Sequence, residues 1–271
     1  MWLVDAAGSA PLQPAGRLPP VCILAGGLGS RLGARVRDTP KPLLEVAGEP
    51  FLVHQLRLLA RHGAGEAVLC VGYLGERIER CIGPQRFGIG LRYSYDAPGL
   101  DGTLGAVRRA LPLLGERFLV LNGDTYLPID YAAAARAWRA SGLPGLMGVL
   151  HNRDRHEISN ADFAGGRVLT YEKGAPAGSM AWIDCGLGGL TRDVLESFAP
   201  QERELAAIFA RLARAGLLCG FEARARYYEI GTARALAETD AFLRALPPAA
   251  DSPAQVLAKF PTGPASTGSS A

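Results

Sequence analysis

Cysteine, histidine and clustered charge are all scarce in this sequence, and each scarcity closes off a class of function. The five cysteines, at 22, 70, 81, 185 and 219, are too widely spaced for a zinc-type CxxC pair, and an odd number leaves no complete disulfide framework. A reducing, cytoplasmic setting is the expectation. Of the four histidines, His151 and His156 lie in the polar loop "HNRDRHE", five apart, a poor spacing for a metal-binding pair. The 29 basic and 26 acidic residues are interspersed, so no basic block offers a nucleic-acid footprint. Nowhere do about 18 apolar residues run together as a membrane span requires, and the first twenty residues lack the basic and apolar regions of a signal peptide. Neither nucleic acid nor membrane is therefore expected as a partner. No internal repeat is evident, and nothing in the sequence fixes an oligomeric state, with which a homo-oligomer is compatible.

What is present is a 48% apolar chain of 271 residues, enough for a sizeable core. Residues 1–19 and 247–271 are rich in Pro, Ala, Gly and Ser and read as an N-terminal extension and a flexible tail around one domain over 20–246. Within that domain, short apolar runs ("VCIL", "AVLCVGY", "IGLRYSYD", "RFLVLNGD") alternate with helical patterns ("EPFLVHQLRLLARHG", "GERIERCIG", "TLGAVRRALPLLG"). In the first of these helices Phe51, Leu52, Leu56 and Leu59 share one face, and Gly63 supplies a stop. Such alternation predicts βαβ units: an α/β fold with a mostly parallel sheet and helices on both faces. Further on, "GLPGLMGVL" reads as a buried strand, "RVLTYEKG" and "AWIDCGLGGL" as strands or a hairpin, and "ERELAAIFARLARAG" as an amphipathic helix. "LLCGFEARARYYEIG" reads as one or two strands before a closing helix, "TARALAETDAFLRAL". Ligands of parallel sheets bind beyond the carboxyl ends of the strands, which selects the loop after "VCIL" and the "NGD" after "FLVL".

That first loop, "LAGGLGSRLG", puts four glycines and an arginine behind a strand. A P-loop would need a Lys-Ser or Lys-Thr pair after the glycines, and none follows. A dinucleotide fingerprint from Gly27 and Gly29 needs a third glycine at position 32, where Leu32 stands. A plain tight turn needs only glycine's backbone freedom. Arg31 argues for more, because a guanidinium at the mouth of a loop whose N–H groups point outward suits a polyphosphate. Lys41, held between Pro40 and Pro42 on an extended path, is a natural second cation.

The pairing of "GGLGSRL" with "PKPLLEVAGEPFL", followed by "VGYLGERI", "YSYD" and "VLNGDTYLPID", resembles the sugar-1-phosphate nucleotidyltransferases. Among these NDP-sugar pyrophosphorylases the likeness is greatest to the D-glycero-α-D-manno-heptose 1-phosphate guanylyltransferases. The likeness runs from about residue 20 to 245, strongly up to 130. It implies a Rossmann-like three-layer sandwich around a mostly parallel, mixed central sheet. It implies coupling of a sugar 1-phosphate, heptose 1-phosphate favoured, to an NTP, GTP favoured, with release of pyrophosphate and with Mg²⁺ as cofactor. The alternatives within the class are hexose or N-acetylmuramate 1-phosphate uridylyltransferases. A long hexapeptide-repeat region of the acyltransferase-fused enzymes is absent.

Residue roles follow from the resemblance. Leu24, Ala25, Gly26, Gly27, Gly29 and Ser30 would hold the nucleotide, with Gly102 and Thr103 of "DGTLGA" at the base and ribose. Asp101 either accepts from the N1–H and 2-amino group of guanine or is an exposed turn residue. Arg31 would stabilise the departing pyrophosphate and Lys41 the reacting phosphates. Asp124 of "GD" would bind Mg²⁺ together with Glu229 of "YYEIGT", which stands where the family carries aspartate; the extra methylene either shifts the backbone or weakens the metal. On the sugar side the resemblance selects Asn122, Glu172 and Lys173 of "YEKG", and Asp184 and Gly186 of "WIDCG", with Lys173 positioning the nucleophile. Two rivals stand beside this reading: a catalytically weak NTP or NDP-sugar sensor, which Glu229 keeps open, and a nicotinamide-dependent dehydrogenase, against which Leu32 counts.

Overall fold

The computed structural model describes residues 17–27, 29–97, 102–199 and 201–246. Asp101 and the greater part of both terminal segments lie outside the described residues. The first half of the chain supplies β1 (Val21–Leu24), β2 (Glu45–Val46), β3 (Glu49–Pro50), α1 (Phe51–Arg61), β4 (Glu66–Val71), α2 (Gly75–Ile82) and β5 (Gln85–Arg86). Next come β6 (Ile89–Tyr95), α3 (Gly102–Ala110), β7 (Arg117–Asn122), β8 (Thr125–Tyr126) and α4 (Tyr131–Ser141). The second half supplies β9 (Gly145–His151), β10 (Ala161–Ala164), β11 (Arg167–Tyr171), β12 (Trp182–Thr191) and α5 (Arg192–Glu196). It closes with α6 (Leu205–Arg214), β13 (Leu218–Ala223), β14 (Tyr228–Glu229) and α7 (Ala233–Ala245).

The main sheet has ten strands in the order β10-β11-β13-β9-β12-β7-β1-β4-β6-β5. Strands β7, β1, β4 and β6 run parallel, so their carboxyl ends share one edge. The expectation of a mostly parallel sheet holds for this block alone. β12 runs antiparallel to both β7 and β9, β11 antiparallel to β13, and only β9–β13 is parallel in the second half. That half also curls on itself, with β10 meeting β12 at Ala161 and Trp182. The hairpin suggested for "RVLTYEKG" and "AWIDCGLGGL" does not form: β11 pairs with β10 and β13, β12 with β7 and β9, because strands near in sequence are here separated by intervening strands.

Apolar side chains alternate between the two faces of β1. Val21 and Ile23 enter one cluster with α1, α2, α4 and α7, whereas Cys22 enters the other with α3, α5 and α6. The α1 stripe behaves as its spacing predicts, with Phe51, Leu52, Leu56 and Leu59 fully buried. Burial of both sheet faces is what lets β4 and β7 be nearly continuous apolar runs.

Candidate active site

The four parallel strands deliver four loops to one cleft of about 1110 Å³. Leu24 to Gly27 and Gly29 follow β1, Gly72 and Tyr73 follow β4, Asp96 and Ala97 follow β6, and Asn122 to Asp124 follow β7. β1 and β7 bracket the point where the chain reverses its direction of sheet building, the usual ligand position in such folds. The "NGD" turn is fitted closely to the glycine loop. Gly123 N–H donates to the Leu24 carbonyl at 2.9 Å, and a Cβ at position 123 would lie 2.5 Å from that same oxygen. Only glycine permits the approach.

Lys41 enters this junction from the far side. Lys41 does not lie on the expected extended path: it opens a single 3₁₀ turn, Lys41–Leu43, capped by Pro40 and holding Pro42 in its first turn, where proline's missing N–H costs nothing, and it is buried there at 8% exposure. Its Nζ donates to Asp124 Oδ2 at 2.5 Å, while the Asp124 side chain keeps 33% exposure and lines the cleft. Glu229 reaches the same neighbourhood through a two-residue ladder in which it pairs with Thr125, and Ile230 N–H donates to the Asp124 carbonyl at 3.1 Å. Burial pushes the Glu229 carboxyl above its ordinary 4.5, and the negative charges of Glu157 and Asp124 push the same way, with Lys41 and Arg31 pulling back. Arg31 lines the cleft from the other side of Gly231. A Cβ at Gly231 would lie 3.3 Å from both Arg31 Nη2 and Glu229 Oε2. Ser30 opens the 3₁₀ segment that carries Arg31.

Of the remaining residues singled out from sequence, Gly102 and Thr103 line the cleft at the start of α3. The Thr103 hydroxyl is engaged with the start of α6, accepting from Leu205 N–H at 3.0 Å and donating to Glu204 Oε2 at 3.3 Å. The sugar-side residues lie around the carboxyl end of β11 and the middle of β12. Glu172 and Lys173 occupy an exposed turn after β11, away from the cleft wall. Asp184 is enclosed beneath it: its Oδ1 accepts from Gly186 N–H at 2.8 Å and its Oδ2 from the Tyr171 hydroxyl at 3.4 Å. Burial raises its pKa, against those two hydrogen bonds and the charge of Lys173. Gly186 does touch the cleft indirectly, since a Cβ there would lie 3.2 Å from Asn122 Nδ2. His151 and His156 go to different aromatic partners, Trp182 and Tyr227. All five cysteines are free thiols, and all but Cys81 are buried. Among the described residues no helix is long and apolar enough to cross a membrane.

A glycine loop, a buried lysine and two carboxylates thus meet at one switch point. Residues 21–214 match the family described as the MobA-like NTP transferase domain. The chain belongs to the MobA-like NTP transferase family. One relative of this NTP transferase, the N-acetylmuramate alpha-1-phosphate uridylyltransferase of Neisseria meningitidis, is 42% identical over 124 residues, 45% of this chain and 53% of that protein. The D-glycero-alpha-D-manno-heptose 1-phosphate guanylyltransferase of Campylobacter jejuni is 32% identical over 181 residues, 67% of this chain and 80% of that protein. The matched region thus spans about half of the first relative's length and four-fifths of the second's. HddC from Yersinia pseudotuberculosis, solved complexed with GMP-PN, superposes with a TM-score of 0.69 over 83% of this chain and 100% of that one, at 24% identity. UTP-bound UGPase from Acinetobacter baumannii gives 0.71 over 83% and 93%, at 15% identity. These superpositions establish a Rossmann-like nucleotidyltransferase fold.

Three residues of the NTP transferase site were not singled out from sequence. Gln55 of α1, 1% exposed, donates its amide to the carbonyls of Asn122 at 2.8 Å and Thr125 at 2.9 Å, bracing the turn on both sides of Asp124. The signal was there: a polar residue set among Phe51, Leu52, Leu56 and Leu59 in an inward-facing stripe. Asp96, at the carboxyl end of β6, points its carboxylate onto the backbone of Gly26 and Gly72, where added Cβ atoms would lie 2.6 and 2.5 Å from its Oδ2. The strand-end rule that selected Asp124 selects Asp96 equally. Arg203, which precedes α6, carries no local signal at all.

Proposed function

We propose that this chain transfers a nucleotidyl group from an NTP to a sugar 1-phosphate, releasing pyrophosphate, with GTP and heptose 1-phosphate as the favoured pair. The observation that carries the reading is the Lys41–Asp124 ion pair, half buried where the glycine loop and the "NGD" turn are fitted together. A sugar-phosphate oxygen attacks the α-phosphorus in line; the bond to the bridging α–β oxygen breaks, and pyrophosphate leaves with its electron pair. The nucleophile is already an anion at neutral pH, so no side-chain base is needed, and catalysis reduces to positioning and charge neutralisation. The N–H groups around Gly26, Gly27 and Gly29 would hold the triphosphate, Arg31 the departing pyrophosphate, and Lys41 the reacting centre. Lys173 would position the nucleophilic sugar phosphate.

A divalent cation suits the donors present. Asp124, in the turn before β8, and Glu229, on β14 paired with β8, offer hard oxygens, and burial together with the charges of Glu157 and Asp124 raises the Glu229 pKa, a cost that a cation would relieve. Mg²⁺, held by these two carboxylates, would supply charge neutralisation at the phosphates. The Asp96 carboxylate, inside the cleft, supports a base that presents ring N–H and amino donors, as guanine does. Uridylyl transfer is the second reading, favoured by the likeness to the Neisseria protein. The fold is read as a three-layer sandwich and the working compartment as the cytoplasm.

Lys41→Ala tests the reading. Pyrophosphate release is expected to fall at least about a hundredfold, the usual scale for losing one transition-state charge contact. The thermal midpoint should stay near that of the parent, because Asp124 is exposed enough to be hydrated. Retained turnover would remove Lys41 from the mechanism.

A further inference from the structure

The wall of the cleft opposite the glycine loop is built to present one more cation. The Arg108 guanidinium donates to the carbonyls of Phe198 at 3.0 Å, Ala199 at 2.8 Å and Glu202 at 2.8 Å. Glu202 Oε1 accepts from the N–H groups of Arg203 at 2.9 Å and Glu204 at 3.0 Å. The Arg203 carbonyl accepts from Leu104 N–H at 2.8 Å, so close to α3 that a Cβ at Gly102 would lie 2.4 Å from it. The backbone of Arg203 is therefore pinned to the first turn of α3, and the residue forms part of the cleft wall. So do Thr103, Ala106 and Arg109, one face of α3 at helical spacing, with Arg109 3.9 Å from the Asp96 carboxylate. Arg203 and Asp96 both line the cleft on this side, beside the same face of α3.

We propose that Arg203 is a base-selecting residue, donating to the exocyclic carbonyl of a keto base while Asp96 accepts from the adjacent ring N–H. This rests on the transferase reading and deepens it. A guanidinium can only donate and a carboxylate can only accept. Guanine (O6 beside N1–H) and uracil (O4 beside N3–H) satisfy both. Adenine and cytosine place an amino group against the guanidinium and a bare ring nitrogen against the carboxylate, leaving polar groups opposed and unpaired. Guanine adds N7 as a second acceptor for Arg203 and a 2-amino donor for Asp96, so it ranks above uracil.

Calorimetric binding of GTP, UTP, CTP and ATP to the full chain and to Arg203→Ala and Arg203→Lys tests this. The alanine variant should lose GTP and UTP affinity by about tenfold with CTP and ATP within twofold. The lysine variant, with a donor in place, should retain the keto preference. An equal loss for all four nucleotides, or no loss for any, would overturn the assignment. A parent chain that binds no NTP would instead sink the transferase reading, whereas a parent that discriminates among NTPs just as its alanine variant does would sink only the role of Arg203.

Discussion

Glu229 stands where the resemblance led one to expect aspartate, and its surroundings set how it must behave. Its folded-state pKa is raised by burial and by Glu157 and Asp124. Below 4.5 the carboxyl is neutral in the folded and the unfolded chain alike, so it makes no difference to stability. As pH rises through the higher folded value, the folded chain must carry a charge it disfavours, and stability is lost. Glu229→Gln should therefore raise the thermal midpoint at pH 7, with the gain vanishing at pH 4, while pyrophosphate release falls because a metal-facing carboxylate is gone. A gain that persists at pH 4, or a loss at pH 7, would contradict this electrostatic account. At the same scale Lys41 was legible from its two flanking prolines, since they announce a rigidly presented cation. That Asp124 is its partner, 83 positions away, follows only from the fold.

Among elements, the α1 helix does two jobs: its apolar stripe fills the core, and Gln55 within that stripe holds both carbonyls that flank Asp124. Gln55→Met removes the two donors while keeping the volume. It should cost about 1–3 kcal/mol of stability, the range for leaving buried acceptors unpaired. A brace that also positions Asp124 should in addition raise the divalent-cation concentration needed for half-maximal activity. If only the stability changes in urea unfolding and metal titration, Gln55 is packing and no more. Elements with a full apolar period were readable, α1, β4 and β7 above all. α4 was not predicted, although its start and stop residues are in the sequence: Asp130 accepts from Ala133 N–H at 2.8 Å at its start, Gly142 is left-handed at its end, and Tyr131, Ala134, Ala135 and Trp138 are buried between. Its alanines dilute the apolar stripe that marks a helix in sequence. The two-residue ladder of β8 and β14 was beyond reach, being too short to carry any period, yet it is what brings Glu229 beside Asp124.

Across the whole molecule the two halves of the sheet divide the work. The parallel half aims four strand ends at one edge and makes the cleft, and this half was legible because βαβ alternation and strand-end loops are local patterns. The antiparallel half curls so that β10 meets β12, and sequence order gives no guide to such pairings. There Asp184 accepts hydrogen bonds from Gly186 and Tyr171, and Glu172 and Lys173 face solvent on the turn after β11. The most direct measurement is pyrophosphate and NDP-sugar formation by the full chain with Mg²⁺, scanning the four NTPs against a panel of sugar 1-phosphates that includes heptose, hexose and N-acetylmuramate. The account expects equimolar pyrophosphate and NDP-sugar, highest with GTP and heptose 1-phosphate; nucleotide binding without pyrophosphate from any pair would contradict it.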